Sequence, residues 1–207
     1  MNIQFSDLQT LIAGQRCADS PLYTVGVRGA LEKPYTHPDG LYDSVIFVVD
    51  QPAQTFTAWL ASLDPSLPLI QSPINPAGAA QLVPGVHLFE RGIHKENPDW
   101  PCLIQAEDFT VYRLNTDGTV KGQESGDFGI HMHSGGEGEC TGRFSAGCQI
   151  YHNGDGYMQD PTRARFVAAT NGAIIAHGIS VLPYRLLLAS DAPLDYDSVT
   201  FENPITP

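Results

Sequence analysis

Apolar positions recur along this chain in short runs separated by turn residues. Long stripes at helical spacing are rare. LYTVGVRG, from Leu22, alternates as a strand does, and DSVIFVVD, residues 43–50, is a β-branched apolar run that predicts a strand buried on both faces. In QTFTAWLASLDPS, Phe56, Ala58 and Leu60 alternate with Thr55, Thr57 and Trp59, which favours a strand over a helix. VPGVHLFERG and DFTVYRLNTDGTVKG supply further strands, and Asp117-Gly118 in the second is a two-residue hairpin signal. Two short helices are predicted. One is SDLQTLIA, residues 6–13, with Ser6 as N-cap and Gly14 past its end; the other is TRARFVAAT, opened by Asp160-Pro161 and stopped at Asn171-Gly172. AIIAHGISVLPYRLLLA then gives one or two closing strands, with His177 half-buried in the first. The proline-rich stretch from Asp64 to Pro84 reads as a long surface loop of the kind that often carries function. Together these elements predict a single domain over residues 1–207, with a possible N-terminal appendage at 1–20 and a C-terminal strap at 190–207. Its class is α+β, β-rich, with one or two short helices on mainly antiparallel sheets.

The composition narrows the set of partners. Twenty glycines and sixteen prolines in 207 residues suit a turn-rich β protein. The formal net charge of -12, with no cluster of Lys and Arg, argues against nucleic acid and anionic membrane surfaces as partners. The N-terminus has no basic segment followed by an apolar core, and no stretch is long enough to span a bilayer, so the chain is expected to be soluble and without a secretion signal.

Candidate chemistry concentrates between Phe128 and His152. In FGIHMHS, side chains alternate across a strand, so His131 and His133 share one face and Phe128, Ile130 and Met132 the other. Cys148 follows Ser145-Ala146-Gly147. A glycine at 147 permits a tight turn and close approach of a carbonyl, and the N–H groups of Gly147 and Cys148 are candidate oxyanion donors. A thiol becomes an effective nucleophile when an imidazole takes its proton, which makes His133 and His131 candidate bases. Ser145 would orient that base or brace the turn. Arg143, Ala146 and His152 border the same segment as candidate substrate contacts. Arg28 is an isolated cation able to hold a carboxylate, although a surface role is more common for such a residue. His37, His87, His94 and His177 show no partner pattern and read as structural or solvent-facing. Among four cysteines, Cys17 and Cys102 read as buried small hydrophobes, while for Cys140 a disulfide, a free thiol and a redox partnership with Cys148 are all open.

The block GIHMHSGG…TGRFSAGCQIYHN resembles the active-site segment of the L,D-transpeptidase (YkuD-like) family: a strand ending in His and a small residue, a Gly-rich spacer, then Ser/Thr-x-Gly-Cys. His133-Ser134 and Ser145-Ala146-Gly147-Cys148 match it, with His133 and Cys148 fifteen positions apart, at the short end for the pattern. More broadly, residues 22–155 resemble a subgroup of bacteriophage and prophage proteins of L,D-transpeptidase-like or lysin-like type. The resemblance implies a β-sandwich catalytic fold with no metal or other cofactor, and peptidoglycan stem peptides as partners. It implies that Cys148 is the nucleophile, His133 the base, Ser145 a motif partner, and Gly147 with Cys148 the oxyanion donors, with His131 a rival base. Ala146 and Ile150 depart from the residues many members carry there, which bears on the acyl acceptor. The implied activity is thioester formation at an L-D amide bond, resolved by an amine or by water. The implied place of action is the periplasm or cell wall, after delivery by a phage or secretion system. Two other readings stand beside it: a zinc amidase or peptidase built on His131 and His133 with Cys148 or His152, and a non-catalytic cell-wall-binding or virion structural domain.

Overall fold

The computed structural model describes residues 3–31, 35–37, 40–96, 100–135, 142–152 and 165–202. In chain order the elements are α1 (Phe5–Ile12), β1 (Leu22–Arg28), β2 (Tyr35–His37), β3 (Gly40–Tyr42), β4 (Ser44–Asp50), β5 (Thr55–Ser62), α2 (Leu67–Gln71), β6 (Ala79–Leu82), β7 (Gly85–Ile93), β8 (Pro101–Gln105), β9 (Phe109–Leu114), β10 (Val120–Gly126), β11 (Met132–Ser134), β12 (Gln149–Tyr151), α3 (Arg165–Ala176) and β13 (Val181–Leu188). The class is α+β and strand-rich, as the hydrophobic pattern predicts. The architecture is not an antiparallel sandwich. Eight strands close into a barrel in the order β1, β13, β7, β8, β11, β12, β5, β4, and a separate sheet has the order β10, β9, β6. Two barrel pairs are parallel, β1 with β13 and β11 with β12. Closure leaves no barrel edge unpaired, which removes the exposed backbone groups that an open sheet must protect.

Alternation along each strand divides the core in two. Inward positions, among them Leu22, Ile46, Trp59, Phe89, Leu103, Met132, Tyr151 and Leu182, fill the barrel with Tyr184. Phe166 of α3 packs edge-on to Trp59 at 5.3 Å and against Tyr151 at 4.5 Å. Outward positions of β1, β4, β5 and β12 form a second layer with Leu8 and Ile12 of α1 and with Ala192 and Tyr196 of the C-terminal segment. Residues 3–20 and 190–202 therefore cover a barrel face rather than hanging from it. No helix among the described residues is long and apolar enough to cross a membrane.

Several expected boundaries shift. Gln4, not Ser6, caps α1, in a reciprocal pair with Asp7 whose carboxylate accepts the Gln4 N–H at 2.7 Å. The Asp117-Gly118 hairpin is present with a longer loop, closed by the Asn115 N–H on the Thr119 carbonyl at 2.8 Å. Asp160-Pro161 lies outside the described residues. Asn171-Gly172 does not stop α3: Phe166, Val167, Thr170 and Ile174 are all buried, so the packed face runs through the glycine to Ala176. A glycine costs about 1 kcal/mol in a helix interior, less than the burial of Ile174 returns. His177 consequently ends a helix instead of sitting in a strand, and its Nε2 meets Asp50 at 2.9 Å.

The stretch from Asp64 to Pro84 is structured where a surface loop was expected. It contains α2 and β6, and the Arg28 side chain ties its ends together from inside the barrel. The Arg28 guanidinium donates to the carbonyls of Leu63 at 2.8 Å and Leu82 at 2.9 Å and pairs with Asp64 at 3.0 Å. Arg28 is buried and committed to that clamp, so it is not a substrate contact.

On the outer surface Arg16 forks onto both oxygens of Glu107 and also donates to the Val86 carbonyl at 2.6 Å. This hydrogen-bonded guanidinium holds the Glu107 carboxyl below its usual range. A carboxyl depressed on folding contributes stability above its unfolded pKa of about 4.3, and the contribution is lost as pH falls through the folded value. Both groups are partly exposed and screened, so the effect is below about 1 kcal/mol. Glu107→Gln is expected to melt slightly lower than the parent at neutral pH and level with it in acid. A gap that persists in acid would show that the ion pair is not its source.

Candidate active site

The site is built on the outer face of the barrel where β8, β11 and β12 adjoin. Met132 pairs with Gln149 and His133 with Ile150 in the parallel register, and the Gln149 N–H donates to the His131 carbonyl at 2.8 Å. One step back along both strands, His131 stands opposite Cys148. Met132 and Gln149 point inward, so His131, His133, Cys148 and Ile150 share the outward face, as alternation predicts.

Cys148 sits at the end of a turn pinned from several sides. Ser145 exchanges bonds with Ser66: its N–H donates to the Ser66 hydroxyl at 3.1 Å, and its carbonyl accepts the Ser66 N–H at 2.8 Å. The Ala146 carbonyl accepts the Ala80 N–H at 3.2 Å. The Ser145 hydroxyl donates to the Cys148 carbonyl at 2.7 Å and accepts the Gly147 N–H at 3.2 Å. Ser145 is therefore the brace of the turn and does not orient an imidazole. The Gly147 N–H is committed to that brace, which corrects its expected place in an oxyanion site. The Cys148 N–H has no hydrogen bond among the described residues and stays available. Gly147 has φ +151, and a Cβ there would lie 2.5 Å from the Ala80 carbonyl oxygen, so the position admits only glycine.

From inside the barrel the turn is held by a short polar chain. Tyr184 donates its hydroxyl proton to Gln149 Oε1 at 3.0 Å, and Gln149 Nε2 donates to the Gly147 carbonyl at 3.3 Å. Tyr184 fits only because Gly26 lies beneath it, where a Cβ would be 2.1 Å from the hydroxyl oxygen. Neither Tyr184 nor the Ser66 and Ala80 anchors carried a sequence signal that linked them to Cys148.

The Cys148 thiol is free and half-buried. Its sulfur takes the His131 backbone N–H at 3.5 Å and faces the Gly129 carbonyl at 3.9 Å, and no hydrogen bond joins it to an imidazole among the described residues. Burial pushes the thiol pKa up, against the opposing pull of the His131 N–H and the Lys95 charge. The resting sulfur is therefore protonated at neutral pH. Cys140 lies outside the described residues.

The two histidines have different partners. His133 is fully buried, with Nδ1 on the Ser134 carbonyl at 2.7 Å and Nε2 without a hydrogen-bond partner among the described residues. That carbonyl can only accept, which fixes the proton on Nδ1 and leaves Nε2 as a bare acceptor. Burial, with a further push from His94, lowers the His133 pKa to about 3, so the ring is neutral. The half-buried His131 turns Nδ1 toward β8, where it meets His94 Nδ1 at 2.9 Å and Cys102 Sγ at 3.8 Å. Burial lowers its pKa as well. His94, read from sequence as isolated, packs with tilted rings against Trp100 at 4.4 Å and His133 at 4.3 Å, and burial followed by the neighbouring His131 brings its pKa down to about 4. Cys102 is buried as expected, and its surroundings push the thiol up to about 12. The signal that could have found His94 is tertiary alone.

Of the other candidates, Arg143 and Ala146 are exposed beside the turn. His152 directly follows β12. It is buried, with its ring edge-on to Tyr42 at 5.0 Å and its N–H on the Leu60 carbonyl, which removes it from the substrate contacts. An open groove of about 470 Å³ borders the turn, with Ile74, Ala80, Arg113, Asp127, Phe128 and Ala146 in its walls. Both segments that approach the sulfur, 127–129 and 146–148, thus begin at this groove. Arg113 is occupied there, lying over the Phe128 ring at 4.9 Å and pairing with Glu124. Asp127 uses one oxygen on the Gly129 N–H at 3.0 Å and is exposed.

Compared with known proteins, the chain matches no family model, no curated protein sequence and no solved structure.

Proposed function

We propose that the protein is a cysteine acyltransferase or peptidase of the L,D-transpeptidase kind, acting on peptidoglycan stem peptides. The observation that carries this reading is the unpaired Nε2 of His133, set by the Ser134 carbonyl as a proton acceptor on the same outward face as a free, half-buried thiol. Thiol and imidazole both rest neutral, so the base acts during attack rather than by storing a thiolate. Among the described residues the sulfur is held by two long polar contacts, and a change of χ1 rotamer is cheap.

In the proposed reaction the thiol proton passes to His133 Nε2 as Sγ bonds to the carbonyl carbon of an L-D amide. The Cys148 N–H stabilises the oxyanion. The C–N bond then breaks, the departing amine takes the proton from His133, and a thioester remains. An amine acceptor resolves it to a cross-link, and water resolves it to a free carboxylate. The groove supports a peptide substrate: its walls are apolar near Ala80 and Phe128, and the second oxygen of Asp127 suits the side-chain ammonium of a diamino acid. Delivery to the cell wall by a phage or secretion system belongs to this proposal.

The test is intact-protein mass spectrometry after incubation with tetrapeptide muropeptides or a carbapenem. One adduct is expected, mapping to Cys148. His133→Gln keeps a polar group of similar size but cannot take a proton, and it is expected to slow adduct formation by about 100-fold at the same cysteine. No adduct on the parent protein would refute the reading, and an unchanged rate in His133→Gln would remove that residue as the base.

A further inference from the structure

His94, Cys102 and His131 come from three separate places in the chain: the kink after β7, the second residue of β8, and the approach to β11. Among the described residues they form the one group whose His, Cys, Asp or Glu ligand atoms converge, all within 4.8 Å of one another. His94 Nδ1 and His131 Nδ1 are 2.9 Å apart, and Cys102 Sγ is 3.8 Å from the latter. A tetrahedral zinc with bonds of about 2.0–2.1 Å to nitrogen and 2.3 Å to sulfur separates two nitrogens by about 3.3 Å and nitrogen from sulfur by about 3.6 Å. Those two spacings fall on either side of these values and need shifts of a few tenths of an ångström, while His94 and Cys102, whose ligand atoms lie within 4.8 Å of each other, draw together on binding. Among the described residues no carboxylate joins the set. Two imidazoles and a thiol are the donors of a borderline-soft ion, unsuited to Mg²⁺ or Ca²⁺.

The chain also accepts strain to put His94 there. Lys95 and Glu96, directly after it, are exposed non-glycine residues with φ of 49° and 58°. Consecutive left-handed residues of this kind cost energy and persist where the surrounding structure demands them. Here they turn the chain so that the His94 ring points inward against Trp100 and His131.

We propose that His94 Nδ1, Cys102 Sγ and His131 Nδ1 form a zinc site with three protein ligands and a fourth position open to water or another donor. The site clamps the end of β7 and the start of β8 to β11, the strand segment whose His131 N–H touches the Cys148 sulfur. With Nδ1 on the metal, the remaining His131 nitrogen carries the ring proton. His131 then cannot serve as the base, which leaves His133 alone in that role. The donor set differs from the pair of His131 and His133 that the sequence suggested for zinc, and it does not involve Cys148. The inference stands independently of the cysteine-enzyme reading.

The full chain, freed of metal by a chelator, is titrated with Zn²⁺ against a chromophoric chelator and separately with Co²⁺. One equivalent of Zn²⁺ and a thiolate-to-cobalt charge-transfer band are expected. Cys102→Ser should abolish the band, and His94→Gln should weaken Zn²⁺ binding by at least about 100-fold. Cys148→Ala should leave both readouts unchanged. Should Cys102→Ser not fold, His94→Gln decides the matter, since its neighbours Lys95 and Glu96 are exposed. Zn²⁺ affinity equal in parent and His94→Gln, or a band lost in Cys148→Ala, would overturn the proposal. Neither result depends on whether a muropeptide adduct forms.

Discussion

Cys148→Ala is expected to eliminate adduct formation and to lower any turnover of tetrapeptide muropeptides by on the order of 10⁴-fold or more, because the other thiols among the described residues, Cys17 and Cys102, are fully buried. The fold should be indifferent to this change. The sulfur makes two long contacts, with the His131 N–H and the Gly129 carbonyl, and the turn is held by Ser145, Ser66 and Ala80 rather than by the thiol. Product analysis by liquid chromatography and mass spectrometry, with a thermal melt on the same preparation, separates the two effects. Turnover within tenfold of the parent in a normally folded Cys148→Ala protein would remove the cysteine from the chemistry. It would shift attention to the histidine cluster beside it.

Gly147→Ala attacks the same site through the backbone. With φ at +151 an L-residue is strained by about 1–3 kcal/mol, and the new Cβ meets the Ala80 carbonyl oxygen at 2.5 Å, an overpacking of about 1–3 kcal/mol more. The expected loss is about 4 kcal/mol in urea unfolding. Thiol reactivity should fall with it, since the turn cannot stay docked on β6. Ala146→Ser, one residue earlier and exposed, should change stability by less than about 0.5 kcal/mol. A Gly147→Ala protein as stable as the parent would mean that the turn does not press on Ala80.

Much of the chemistry was legible because it depends on local order. Strand alternation put His131 and His133 on one face, and Gly147 before Cys148 marked a tight turn. What failed to show was the environment of each group. Ser145 looked as able to orient a base as to brace a turn, and the bonds of its hydroxyl to the Cys148 carbonyl and the Gly147 N–H decided for the brace. Arg28 looked free, but the carbonyls of Leu63 and Leu82 occupy it. The stretch from Asp64 to Pro84 looked like loop because α2 and β6 are too short for periodicity to register. It is in fact the platform for the Cys148 turn.

By itself the sequence determined the strand-rich class, most strands, and the candidacy of Cys148 with two histidines beside it, because periodicity and turn chemistry act over a few neighbouring residues. Only the tertiary structure decided that the sheet closes into a mixed barrel, since nothing local tells Leu22–Arg28 to lie parallel to Val181–Leu188. It also decided that His94 and Cys102 converge on His131 and that His133 keeps a bare nitrogen. Those outcomes depend on which distant strands pair and on what burial leaves unsatisfied, and neither is encoded within a window of adjacent residues.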